Sequence, residues 1–147
     1  MSLLVQLLLV LALWSSCVFA AEPSPTGLWR TIDDSTGKPR GLVRITEVNG
    51  QYQGRLEKTF PQPGEDPNPK CDKCSGSRQD QPVIGMTILW GITKQGEEYQ
   101  NGEVLDPENG KIYRAKMKLE DGGNALHVRG FIGISLLGRT QIWVREE

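Results

Sequence analysis

The sequence predicts an all-β fold, a small antiparallel up-and-down β-barrel of about eight strands with one long Pro-rich loop. Three observations carry this prediction. Apolar residues recur with period two along most of the chain beyond residue 26, and short turn signals such as Asn49-Gly50 separate the runs. No segment shows a convincing helical period. The chain has 147 residues and a formal net charge of −1, with acids and bases interspersed, which suits one soluble domain. That balance offers no electrostatic footprint for nucleic acid or for an anionic membrane surface.

The first element is not part of the barrel. Met1 to Ala20 carries no charged side chain, Leu3 to Trp14 is apolar apart from Gln6, and Val18-Phe19-Ala20 presents small residues where a signal peptidase reads. The expectation is a signal peptide over 1–20, cleaved after Ala20, and a single domain over 21–147. Glu22, Pro23 and Pro25 follow at once, and the apolar run falls short of the ~20 residues a membrane span needs. The positively charged start typical of such segments is missing, so a retained anchor is one alternative. A lipoprotein modified at Cys17 is another. Cleavage after Ala20 leaves the mature chain with Cys71 and Cys74, the even count that an oxidising compartment favours. Localisation is therefore expected outside the cytoplasm.

The strands follow in order. Leu28 to Ile32 is the first and Leu42 to Val48 the second. Asn49-Gly50 turns the chain into a third, where Tyr52, Gly54 and Leu56 alternate with Gln53, Arg55 and Glu57. The fourth has the clearest alternation. Ile84, Met86, Ile88, Trp90 and Ile92 share one parity, and Val83, Gly85, Thr87, Leu89, Gly91 and Thr93 the other, which predicts one bulky face and one small face on a strand buried on one side. Gln95-Gly96 leads into Glu97 to Val104, and Asp106-Pro107-Glu108-Asn109-Gly110 into the sixth strand. There Tyr113, Ala115, Met117 and Leu119 alternate with Arg114, Lys116 and Lys118. Asp121 to Asn124 forms the next turn, and Leu126 to Ile132 and Thr140 to Arg145 complete the set. Closure into a barrel removes the open edges that an eight-strand meander would leave; a sandwich is the alternative.

One connection departs from this economy. Thr59 to Pro82 holds five prolines and both mature cysteines and has no strand pattern. Loops of this length are usually functional or disordered, and on a barrel this one is expected to lie across an open end. Cys71-Asp72-Lys73-Cys74 within it can close a small disulfide, act as a redox pair or supply half a zinc site. A disulfide fits best, because no helix follows to stabilise a thiolate and the one histidine, His127, sits on an outward strand face with Arg129. No metal or other cofactor is expected. Asp33-Asp34-Ser35-Thr36-Gly37 gathers oxygen ligands but lacks a calcium-loop spacing and reads as a turn. The acids at Glu97, Glu98, Glu103, Asp106 and Glu108 form no opposed pair, so no catalytic constellation can be named.

Gly27-Leu28-Trp29 opens the first strand, and Arg139 and Arg145 flank the last. This resembles the lipocalins and their calycin relatives, whose Gly-x-Trp tryptophan closes one barrel end beneath a late arginine. A longer pattern is more specific. Gly27-Leu28-Trp29, Cys71-Asp72-Lys73-Cys74, Gly85-Met86, Ile88-Leu89-Trp90-Gly91, Asp106 to Lys111 with Tyr113, Arg129 to Gly133, and Gly138-Arg139-Thr140 with Trp143 resemble, in order, an exported bacterial family known as domain of unknown function 2147. The resemblance implies a lipocalin-like barrel with an internal cavity and no established enzyme activity.

Its expected partner is an apolar small molecule or lipid, held against Ile84, Met86, Ile88, Trp90 and Ile92 and across to Tyr113 and Met117. The same stripe also describes a core filled by side chains. Two further readings compete with the binding module. One is a thiol-disulfide protein using Cys71 and Cys74. The other is a cell-envelope adaptor in which Ile132-Gly133-Ile134-Ser135-Leu136-Leu137-Gly138, the apolar link into the last strand, docks a partner or touches a membrane if it is exposed, and does neither if it plugs the barrel end.

Overall fold

A computed structural model describes residues 16–147. The export segment expected over 1–20 lies mostly outside the described residues. Cys17, the alternative lipidation position, is exposed and unpaired. No helix among the described residues is long and apolar enough to cross a membrane.

Eight strands form the closed barrel: β1 (Gly27–Ile32), β2 (Pro39–Val48), β3 (Gln51–Thr59), β4 (Thr87–Gln95), β5 (Glu98–Asp106), β6 (Lys111–Glu120), β7 (Ala125–Phe131) and β8 (Gly138–Arg145). Each pairs antiparallel with its neighbour in sequence. The ring closes where Trp29, Arg30 and Thr31 of β1 meet Arg145, Val144 and Trp143 of β8. All sheet edges are thereby consumed. Asn49 and Gly50 adopt positive φ (53° and 78°), the conformation that the tightest hairpin turns demand, and this explains why the β2–β3 turn was readable from an Asn-Gly pair.

An up-and-down path gives the barrel two unlike ends. The base carries the β2–β3, β4–β5 and β6–β7 turns and the segment entering β1. The mouth carries the β1–β2, β5–β6 and β7–β8 loops and the long β3–β4 connection. Ile45, Tyr52, Ile92, Tyr99, Met117 and Leu126 fill the lower half, each almost fully buried. Tyr52 and Tyr99 pack edge to face there, with ring centroids 5.1 Å apart.

The base is sealed from outside. The Arg145 guanidinium lies 4.3 Å from the centre of the Trp29 ring and donates to the carbonyls of Gly123, Thr26 and Ser24. The Trp29 indole N–H donates to the Pro25 carbonyl at 2.8 Å. Arg145 thus occupies the late-arginine position of the calycin pattern. Arg139 does not: it stands at the mouth, where it pairs with Asp34.

β4 departs from its expected course. It begins at Thr87, four residues later than the alternation suggested, because Val83 to Met86 forms a turn in which the Gly85 N–H donates to the Leu56 carbonyl. The single bulky face is also broken. Ile88 and Leu89 are both buried, Ile92 is buried, and Trp90 between them lies opposite Glu103 on the outer wall beneath Arg78. Two register shifts against β3 and a positive φ of 71° at Gly91 re-aim the side chains on either side.

Candidate functional site

The mouth leads into an open cavity of about 680 Å³. Its depth is apolar. Leu56 of β3, Ile88 of β4, Val104 and Leu105 of β5, Val128 of β7 and Trp143 of β8 line it. Pleating explains how these distant residues converge, since Val104 is opposite both Leu89 and Tyr113 in the ladder and Trp143 is opposite Leu126. Gly130 on β7 leaves the room: a side chain there would rest 3.4 Å from Val104 and 3.5 Å from Tyr113.

Above this floor lie two neutral polar pairs. Asn109 donates its amide to the Tyr113 hydroxyl at 3.0 Å, and the Trp143 indole N–H donates to the Gln141 side-chain oxygen at 3.1 Å. Each pair leaves hydrogen-bonding capacity free for a ligand's polar end. Higher still, the rim is charged but internally neutralised. Arg40 bonds Glu65 of the long loop at 2.9 Å and Glu108 of the β5–β6 turn at 2.7 Å, stapling three elements together. Glu65 stays below the usual carboxylate range because the Gln62 backbone N–H donates to it and Arg40 adds to the effect. Asp34 is likewise held down by its hydrogen bond from Arg139.

Asp33 is lowered to about 2, chiefly by the Ser35 hydroxyl and then by the Thr36 and Ser35 backbone N–H groups. Its carboxylate caps its own turn. The oxygen-rich run at 33–37 is therefore a β1–β2 turn held by Asp33.

Cys71 and Cys74 are joined in a disulfide whose two residues are almost fully buried. It packs under the β5–β6 turn. The Cys71 sulfur sits 3.6 Å from the Pro107 carbonyl, and a Cβ at Gly110 would collide with the Lys73 carbonyl at 1.9 Å. With Arg78 stacked on Trp90, the disulfide fastens the long loop to the barrel wall beside the cavity. Pro61, Pro69 and Val83 of that loop line the mouth.

The sequence-derived binding face is thus distributed over several places. Ile88 and Tyr113 line the cavity. Ile92 and Met117 are packed in the lower core, Met86 and Trp90 are partly buried against the core cluster, with Trp90 on the wall opposite Glu103 and beneath Arg78, and Ile84 is exposed before β4. Leu56, Val104, Val128, Gln141 and Trp143 were not singled out from the sequence. Their common signal is parity, since each lies at a position that the pleat turns inward; Leu56, Val104 and Gln141 stand on the mouth half of their strands, and Val128 and Trp143 lie deeper.

This architecture can be set beside known proteins. A family profile described as "Uncharacterized protein conserved in bacteria (DUF2147)" matches residues 27–145, from the first residue of β1 to the last of β8. The chain belongs to this family. Membership in DUF2147 agrees with the motif order and spans the whole barrel. No curated protein matches the chain significantly. Among solved structures, the fold is similar to protein HP1028 from Helicobacter pylori, described as belonging to the lipocalin family, with a TM-score of 0.71 and 18% identity over 84% of each chain. At that identity the likeness concerns the fold, and it supports the lipocalin-like description of this DUF2147 barrel.

Proposed function

We propose that this DUF2147 protein is an exported binding protein that holds an apolar small molecule or lipid in its mouth cavity without catalysing a reaction. The observation that carries the reading is the cavity itself: about 680 Å³, within the range of small-molecule sites, with an apolar floor and a few neutral polar groups above it. A lipocalin-like fold is consistent with small-molecule binding in general. The rim points the same way, because its arginines already face carboxylates and the ligand need bring little charge.

The export segment over 1–20 belongs to the proposal. A disulfide suits an oxidising compartment, and the family is bacterial, so the periplasm or the cell exterior is the expected location. Burial of both cysteines weighs against thiol-disulfide exchange as the main task, since the attacked sulfur must be reachable.

Native mass spectrometry of the protein purified from its own compartment tests the reading. The expected species begins at Ala21, is two hydrogens light and carries one apolar adduct. Val128→Trp, which fills the cavity, should weaken binding of a fluorescent fatty acid about tenfold or more while leaving the β-sheet circular dichroism intact. An adduct-free wild type that also ignores such probes would overturn the proposal.

A further inference from the structure

The β7–β8 loop, residues 132–137, was read from the sequence as an apolar link that either plugs the barrel or faces out. It faces out. Ile132, Ile134, Leu136 and Leu137 are 66%, 59%, 84% and 72% exposed. Water contact at four aliphatic side chains of one short loop is costly enough to mark this tip as a docking surface.

The loop is held in this pose. Arg129 donates to the Ser135 and Leu136 carbonyls and to the Thr140 hydroxyl, and the Leu137 N–H closes a turn onto the Ile134 carbonyl. The Ile134, Ser135 and Leu136 carbonyls are thus tied down while the apolar side chains face outward. The residues that flank the loop, Gly130 on one side and Arg139 and Gln141 on the other, line the cavity mouth. The apolar tip and the opening are two sides of one rim.

We infer that this loop is a lipid-surface anchor that dips its four aliphatic side chains into the headgroup–acyl boundary and seats the cavity mouth against a membrane. A handful of side chains on one loop is small beside the ~800 Å² per partner of a stable protein interface, but it suffices for shallow insertion. Residues 132–138 carry no charge, and the rim arginines Arg40 and Arg139 are already paired with carboxylates. Attachment therefore rests on apolar insertion and not on attraction to anionic lipid. The inference gains its purpose from the cavity reading, since an apolar ligand could pass between bilayer and barrel without crossing water, but the anchoring itself does not depend on a filled cavity.

Co-sedimentation of the full mature protein with phosphatidylcholine vesicles, with and without phosphatidylglycerol, is the test. Binding should occur on both and persist when salt is raised to about 0.5 M, where exposed charges are screened within a few ångströms. Leu136→Asn combined with Leu137→Asn should lower vesicle affinity about tenfold or more, while the melting temperature and the affinity for a soluble fatty-acid probe stay at wild-type values. Absence of sedimentation, loss of binding in high salt, or a double variant that binds like wild type overturns the anchor and leaves the loop to a protein partner. If the fatty-acid probe fails but vesicles still bind through the loop, the cavity reading falls and the anchor stands.

Discussion

Trp29 is fully buried, and its indole N–H would be an orphan there without the Pro25 carbonyl. Arg145 completes the seal by covering the ring and bonding three carbonyls from the β6–β7 turn and the segment before β1. The guanidinium is packed by these contacts, and the accompanying desolvation lowers its pKa. Arg139 is the useful contrast. It has the same charge and lies on the same strand, but it is exposed and meets a single carboxylate. Arg145→Met should therefore destabilise the protein by about 2–4 kcal/mol, because it leaves partly buried carbonyls unpaired and removes the cation–π contact. Arg139→Met should cost under ~1 kcal/mol, as exposed ion pairs do. Urea midpoints of the two variants at constant m-value decide the matter, and equal losses would remove Arg145 from its role as the seal.

At the scale of the strand, β4 separates what sequence reasoning can see from what it cannot. Alternation in Ile84 to Ile92 announced a strand, and a strand is there. It did not reveal that the pleat slips, because a bulge inserts a residue without changing composition and so moves every later side chain to the other face. Gly91 was the available signal, a glycine inside a strand pattern with the positive φ that such bulges favour. Ile88 and Tyr113 were legible as cavity residues, but Val104 was hidden for the same reason: it faces Tyr113 only through a β5–β6 register that itself shifts between Tyr99 and Gly102. Trp29 and the Asn49-Gly50 turn were legible because their chemistry is local. Gly102 of β5 lies close against β4. A Cβ there would stand 2.1 Å from Ile92 Cγ1 and 2.7 Å from the Trp90 carbonyl. Gly102→Ala should cost about 1–3 kcal/mol in thermal or urea unfolding, since Ile92 is fully buried and cannot retreat freely. A neutral substitution would mean that β4 and β5 adjust their spacing, and the close approach would lose its structural importance.

The whole molecule sets a tightly filled base against an open mouth, and the long β3–β4 connection belongs to the mouth. Its attachment is concentrated in the Cys71–Cys74 bridge, in the contact of that segment with Gly110, and in the Arg40 clasp on Glu65 and Glu108. A bridge between residues three apart closes only a small loop, so its removal should cost about 2 kcal/mol on the chain-entropy account, less than a wide-loop disulfide would. The loss should also be local. In the Cys71→Ser, Cys74→Ser double variant, hydrogen exchange at Cys71-equivalent and Val83 backbone amides, which bond the Gln81 and Pro69 carbonyls, should quicken far more than exchange at the base around Tyr52, Tyr99 and Leu126. Such a gradient is what a rigid base carrying an adjustable mouth requires: the loop can open for a ligand while the barrel stays shut below. If the base amides accelerate to the same degree, the long loop is part of the global folding unit, and admission of a ligand must then proceed through the existing opening past Tyr113 and Gln141 rather than by movement of the loop.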